Sequence, residues 1–233
     1  MKTILWTGLL SAALNLSALG ALYTYNSGFQ NGGIIPDGTA NGWTDSRTIS
    51  GLGAVITDVN VVINVSGGYN GDLYAYLSHN GILVPLLNRV GTGSGDVIQQ
   101  TLGFSTAGFS NVRLDDAGSL NIHDVATPSS SPTSYRPDGG SLASFSDINP
   151  NGNWTLFFSD LANAGGSSSS TLVSWSLDIT AVPEPVNVAL GIFGGIFLVV
   201  VVGRHPRVQK RLRGWRLAVV SSTTIICFLW RQL

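Results

Sequence analysis

Residues 153–179, NWTLFFSDLANAGGSSSSTLVSWSLDI, carry the clearest two-residue alternation in the chain. Trp154, Leu156 and Phe158 alternate with Thr155, Phe157 and Ser159. Beyond a Gly/Ser-rich loop, Trp175, Leu177 and Ile179 alternate with Ser174, Ser176 and Asp178. Successive strand side chains point to opposite faces, so the stretch predicts two antiparallel strands joined by a long polar loop. Trp154, Trp175 and Leu177 fall in the core, and the serines and Asp178 fall on a wet face. Upstream, residues 55–65 repeat the pattern, with Val59, Val61, Ile63 and Val65 on one face and Asp58, Asn60 and Asn64 on the other. Residues 73–77 and 82–87 flank Asn80-Gly81, a two-residue hairpin signal. Residues 97–104 and 112–114 predict further strands. Residues 21–53 are dense in turn formers such as Pro36-Asp37-Gly38 and Asn41-Gly42, which predicts an edge segment pinned by Ile34, Ile35, Trp43 and Ile49. Residues 128–137 predict a mobile Ser/Pro-rich excursion.

The order W-T-L-x-x-x-D, Gly/Ser-rich loop, L-x-S-W-S-L-x-I resembles the end of the P domain, the module that follows the catalytic domain of subtilisin-like proprotein convertases. ITDVNVVINV at 56–65, Gly71-Asp72-Leu73, and ILVPLLNRVG at 82–91 are similar to that family's opening strands. Tyr135-Arg136-Pro137 with Leu142 and Phe145 is similar to its Y-x-P…L-x-x-F segment. The resemblance implies an all-β fold, a jelly-roll sandwich of about eight antiparallel strands, over residues 21–181.

Composition changes this picture mainly through charge. The formal net charge of -1 hides a segregation: between positions 21 and 182 stand twelve Asp, four Arg and neither Glu nor Lys. The body is acidic and the tail basic, and an acidic surface repels phosphate, which argues against nucleic acid as a partner. The single cysteine, Cys227, allows no intramolecular disulfide. Lys2 and the apolar run to Leu22 have the form of a secretory signal over residues 1–20, with Ala18 and Gly20 placed for a cut before Ala21; a membrane anchor is the alternative.

The other end holds a second address. Val182-Pro183-Glu184-Pro185 is followed by an apolar stretch over 186–203, broken only by Asn187, and then by Arg204, Arg207, Lys210, Arg211, Arg213 and Arg216. The prolines deny the backbone two amide donors and favour an extended segment. About 18 residues at 1.5 Å each nearly cross a bilayer's hydrocarbon core as a transmembrane helix, and the basic cluster would hold the cytoplasmic side. Residues 182–216 resemble the PEP-CTERM sorting signal, which implies an exosortase-type processing enzyme as partner, an inner-membrane precursor, and a destination at the cell surface or extracellular matrix. A permanent single-span anchor is the alternative. Residues 217–233 add an apolar segment with no assigned role.

Candidate chemistry is sparse. His79 and His123, the histidines of the body, lie in no metal spacing, and Ser94 in GTGSG misses the G-x-S-x-G elbow by one position. No catalytic residue is assigned. Asp72, Asp115, Asp116 and Asp160 each fall within three residues of a Gly or Asn, in loops where hard oxygen ligands would converge on Ca²⁺; the other reading is turn aspartates bonded to their own backbone. Trp43, Tyr69, Tyr74 and Tyr76 suggest an aromatic platform for sugar, or core and interface positions. The expectation is a non-enzymatic exported surface or matrix protein with a structural or adhesive role. The alternatives are a carbohydrate- or protein-binding accessory module of a secreted enzyme, favoured by an exposed aromatic strip, and a cryptic serine hydrolase.

Overall fold

The computed structural model describes residues 19–52, 54–93, 95, 97–163, 169–183 and 185–205. Their fold is all-β, with ten strands in two sheets. β1 (Leu19–Tyr25), β3 (Ala54–Ser66), β6 (Phe109–Leu114), β7 (Leu120–Asn121), β8 (Ser134–Arg136) and β10 (Thr171–Pro183) form a six-stranded sheet in the order β1-β10-β3-β6-β8-β7. β2 (Thr39–Ile49), β4 (Leu73–His79), β5 (Ile82–Asn88) and β9 (Gly152–Asp160) form a four-stranded sheet in the order β2-β9-β4-β5. One continuous core joins the inner faces, with Trp154, Leu156 and Phe158 from β9, Trp175, Leu177 and Ile179 from β10, and Val59, Val61 and Ile63 from β3.

The two strands of the 153–179 stretch do not pair. β9 lies between β2 and β4, and β10 lies between β1 and β3 in the other sheet. Each carries a large apolar face, and two such faces bury more surface by meeting across a core than by lying side by side in one sheet. The loop between them is a crossing between sheets. The wet face of β10 is also less wet than its serines suggest. Arg113 on β6 reaches Asp178 at 3.1 Å and Asp115 at 3.5 Å, while Asn60 and Ser176 are buried.

The Asn80-Gly81 hairpin joins β4 to β5 as expected, with both residues at positive φ, as a type I′ turn requires. The segment 21–53 is more ordered than its turn formers predict, because Asn41-Gly42 lies inside the 11-residue β2. Pairing jumps from Thr39↔Asp160 to Trp43↔Phe158, a bulge that absorbs the two extra residues. Gly42 sits at φ 61°, and a Cβ there would collide with the Phe158 carbonyl oxygen and the Phe157 ring. Left-handed backbone alone costs a non-glycine residue about 1–2 kcal/mol. Gly42→Ala should therefore lose more than about 2 kcal/mol in urea unfolding, against about 1 kcal/mol for Gly51→Ala, whose Cβ would meet nothing within 4 Å. Equal losses at the two positions would contradict the bulge.

Residues 97–104, expected as a strand, form a short helix instead, α1 (Val97–Leu102), which ends at Gly103 with φ 75°. Glycine in the left-handed region is the common helix terminator. The 128–137 excursion is tied down at several points: Ser129 N–H donates to the Tyr135 hydroxyl, Ser131 N–H donates to the Asn111 carbonyl, and β8 pairs with β6 and β7.

The first compact unit closes at Pro183. Pro183 is the last residue of β10, in register with Ala54, and Pro185 opens α2 (Pro185–Arg204), so only Glu184 separates strand from helix. A proline is tolerated at a strand end because its missing donor leaves no ladder bond unmade in the interior. Side chains of α2 are described from Leu190 onward, and over the described residues no helix is long and apolar enough to cross a membrane. Glu184, Arg207, Lys210, Arg211, Arg213, Arg216 and most of the expected signal segment lie outside the described residues. The cut expected before Ala21 falls inside β1, where Gly20 faces Thr180 and Ala21 faces Ile179.

Candidate functional site

The structure divides the four loop aspartates. Asp116 accepts hydrogen bonds from the Ser141 hydroxyl and from the Leu142 and Ala143 amides, capping the turn at Leu142–Phe145. Asp115 accepts from the Ala117 amide and pairs with Arg113. Asp115 is a turn aspartate that bonds to its own backbone two residues on, whereas Asp116 reaches across to a turn distant in sequence. Asp72 and Asp160, by contrast, come together at one end of the four-stranded sheet, because the β4–β9 register sets Leu73 opposite Asp160 and the Leu161 amide donates to the Asp72 carbonyl. Among the described residues no three His, Cys, Asp or Glu side chains converge on a point that could hold a metal ion.

The Asp72–Asp160 pair is buried, at 5% and 2% exposure. Ser170 donates its hydroxyl to Asp160 Oδ2 at 3.4 Å, while Asp160 Oδ1 is buried with no hydrogen-bond partner. Burial pushes the Asp160 carboxyl up to about 6, and the charges of Asp72 and Asp37 add to the shift. Burial also raises Asp72, with Arg89 opposing and Asp37 adding. Beside Asp72 opens a cavity of about 460 Å³ lined by Tyr69, Ile98, Leu102, Phe104, Ala162 and Asn163.

The two histidines of the body are structural. His79 stacks on Trp154 with ring centroids 4.0 Å apart, and its Nδ1 and Nε2 lie 2.9 and 2.8 Å from the Asn153 and Asn149 carbonyls. His123 bridges Asp138 at 2.7 Å and the Thr92 carbonyl at 2.8 Å. Burial works to lower its pKa, but the bonds to Asp138 and Thr92 outweigh burial and leave it raised. Ser94 lies outside the described residues.

These shifts set a pH dependence of one sign. Folded Asp160 holds its proton more tightly than the unfolded chain, so its ionisation costs stability above about pH 6, a cost relieved as pH falls toward 3.8. His123 contributes fully below its unfolded value of 6.5, and that contribution fades as pH rises through the raised folded value. The urea midpoint should therefore be higher at pH 5.5 than at pH 8, and the Asp160→Asn, His123→Gln double variant should flatten the difference. A higher midpoint at pH 8 would contradict both assignments.

The four aromatics expected as a platform also separate. Trp43 is buried and donates its indole N–H to the Gln30 carbonyl, and Tyr69 stands at the cavity rim. Tyr74 and Tyr76 remain together on the outer face of the four-stranded sheet, joined there by Phe157. Tyr76 and Phe157 stack at 4.6 Å and 12°, and Tyr74 meets Tyr76 edge-on at 6.3 Å. Their neighbours on this face are Thr44, Ser46, Thr155, Ser78, Pro85 and Leu83, so the face carries hydroxyls and apolar groups but no formal charge. Ser46 and Thr155 share a 2.7 Å hydrogen bond. Phe157 was not foreseen in this role; its signal is a lone aromatic in the outward phase of β9, between Thr155 and Ser159.

No family model matches the chain, and no curated protein matches it. Among solved structures it is similar to the serine protease of Aeromonas sobria, seen in complex with the chaperone ORF2 (TM-score 0.49, 18% identity, 72% of this chain and 28% of that chain) and by itself (0.46, 19%, 71% and 27%). It is also similar to the dimeric latent PorU of Porphyromonas gingivalis (0.32, 13%, 71% and 13%), so the chain spans less than a third of each of these proteins.

Proposed function

We propose that this chain is an exported, non-catalytic adhesive module, a jelly-roll sandwich of the P-domain kind, whose working surface is the outer face of the four-stranded sheet. The observation that carries this reading is the uncharged row Tyr74–Tyr76–Phe157 flanked by Thr44, Ser46, Thr155 and Ser78. Aromatic rings take the apolar C–H faces of a sugar, hydroxyl side chains exchange hydrogen bonds with its hydroxyls, and a surface without charge favours a neutral polymer over an acidic one. The partner is accordingly a neutral extracellular polysaccharide.

Delivery rests on the tail. The apolar stretch 186–203 inserts as a span, the basic residues beyond it stay cytoplasmic, and an exosortase-type enzyme acts at Pro183-Glu184-Pro185 to release the domain to the surface. Of the four aspartates expected to hold calcium, Asp115 and Asp116 already spend their oxygens on backbone amides.

The test is co-sedimentation of the full chain, in a nonionic detergent, with insoluble neutral polysaccharides and with acidic ones. The expected result is retention on a neutral polymer that falls at least tenfold in Tyr76→Ala, with the β-sheet circular dichroism spectrum retained. Preference for the acidic polymer, or full retention by Tyr76→Ala, would overturn the assignment.

A further inference from the structure

The cavity beside Asp72 combines two features that oppose each other unless a ligand reconciles them. Its rim is apolar and open: Ile98 and Leu102, one helical turn apart on α1, are 62% and 53% exposed, and Tyr69 is 39% exposed. Its wall is acidic and closed: Asp72 lines the cavity, and its charge adds to the raised pKa of the buried Asp160, whose Oδ1 is unpartnered. Arg89 opposes the shift at Asp72 but spends its hydrogen bonds on backbone carbonyls. Arg89 gives Nε to the Gly71 carbonyl at 3.2 Å and Nη2 to the Thr101 carbonyl at 3.1 Å. An uncompensated buried carboxylate is costly, and exposed apolar side chains around it gain nothing from water. A single class of group satisfies both, a cation carried on an apolar stem, as in lysine and arginine.

We propose that this cavity is a subsite for a basic side chain, Lys or Arg, of a partner polypeptide, with the methylene stem against Ile98, Leu102 and Phe104 and the cationic head at Asp72, backed by Asp160. The volume of about 460 Å³ accepts such a side chain together with adjoining backbone. A hydrated divalent ion would leave the apolar rim unused, and no third metal-binding side chain converges there among the described residues. The acidic charge of the body, twelve Asp against four Arg over 21–182, draws a basic partner toward the site. The subsite is independent of the polysaccharide face and stands or falls without it.

The test titrates the full chain in nonionic detergent with N-acetyl-arginine amide, N-acetyl-lysine amide and the uncharged N-acetyl-norleucine amide, following amide resonances of Gly103, Ser105 and Ala162. The cationic probes should shift these amides and bind at least tenfold more tightly than the norleucine probe. Asp72→Asn should remove that tenfold preference, and Leu102→Ser, at an exposed position, should weaken all three probes without moving the melting temperature. Equal binding of the norleucine probe would reduce the cavity to an apolar hollow and overturn the proposal. A response to millimolar CaCl₂ with none to the cationic probes would assign the pair to a metal and overturn it equally, as would no shift with any probe.

Discussion

Trp175→Ala should cost about 3–5 kcal/mol of folding stability, close to half of what a domain of this size typically has. Trp175 is 1% exposed, lies in register between Tyr25 on β1 and Ile63 on β3, and packs its ring 4.8 Å from that of Tyr25. Its removal opens a cavity in a close-packed core, and β3 on one side is held in place by its second ladder, to β6. The indole also has a polar duty. Its N–H donates to Asp45 Oδ2 at 2.7 Å, and Asp45 is 92% buried, with Arg47 as its other partner through Nε. Trp175→Phe separates the two contributions: it keeps most of the volume and loses the hydrogen bond, and should cost about 1–3 kcal/mol because a buried carboxylate oxygen is left with one partner fewer. Equilibrium urea unfolding of both variants checks the pair. A loss below about 1 kcal/mol for Trp175→Ala would place the ring at the surface.

The elements legible in the sequence were those whose signal is local. Alternation from Val59 to Val65 gave β3 and its buried face, and Asn80-Gly81 gave the turn of the β4–β5 hairpin, because side-chain period and positive φ are properties of a few adjacent residues. Partner choice was not legible. Alternation assigns Trp154 and Trp175 to an inner face but does not say which sheet supplies it, so two strands adjacent in sequence were read as paired when each is central in a different sheet. β2 was hidden by Asn41-Gly42, where a bulge uses the same residues that a turn would. α1 was hidden because Val97-Ile98 leads a six-residue segment too short to show a helical period.

The candidate sites divide in the same way. Asp72 and Asp160 were recognisable as loop acids, but their meeting depends on a long-range register that no spacing encodes, and the apolar rim of their cavity comes from the misread α1. Asp115 and Asp116 carry the same local signature and turn out to cap backbone. Tyr74 and Tyr76 were visible as alternating aromatics, whereas Phe157 joins them only because β9 lies beside β4.

Changing Pro183, Glu184 and Pro185 to Ala should have an all-or-none effect on where the protein resides. Pro183 ends β10 opposite Ala54 and Pro185 begins α2, so the motif sits where a folded strand hands over to an apolar helix. Each proline fixes its own φ, which lowers the entropy an enzyme must remove to grip the motif. The triple variant should accumulate as a longer, membrane-retained form, while the wild-type chain leaves the membrane. A permanent anchor predicts one size and one location for both.

The most direct measurement is peptide mass spectrometry of the wild-type protein recovered from the cell surface and matrix. The account predicts peptides of the β-sandwich through β10 and none from the basic cluster beyond Arg204. An intact peptide running from Pro185 to Arg204 in most of the surface protein would contradict it.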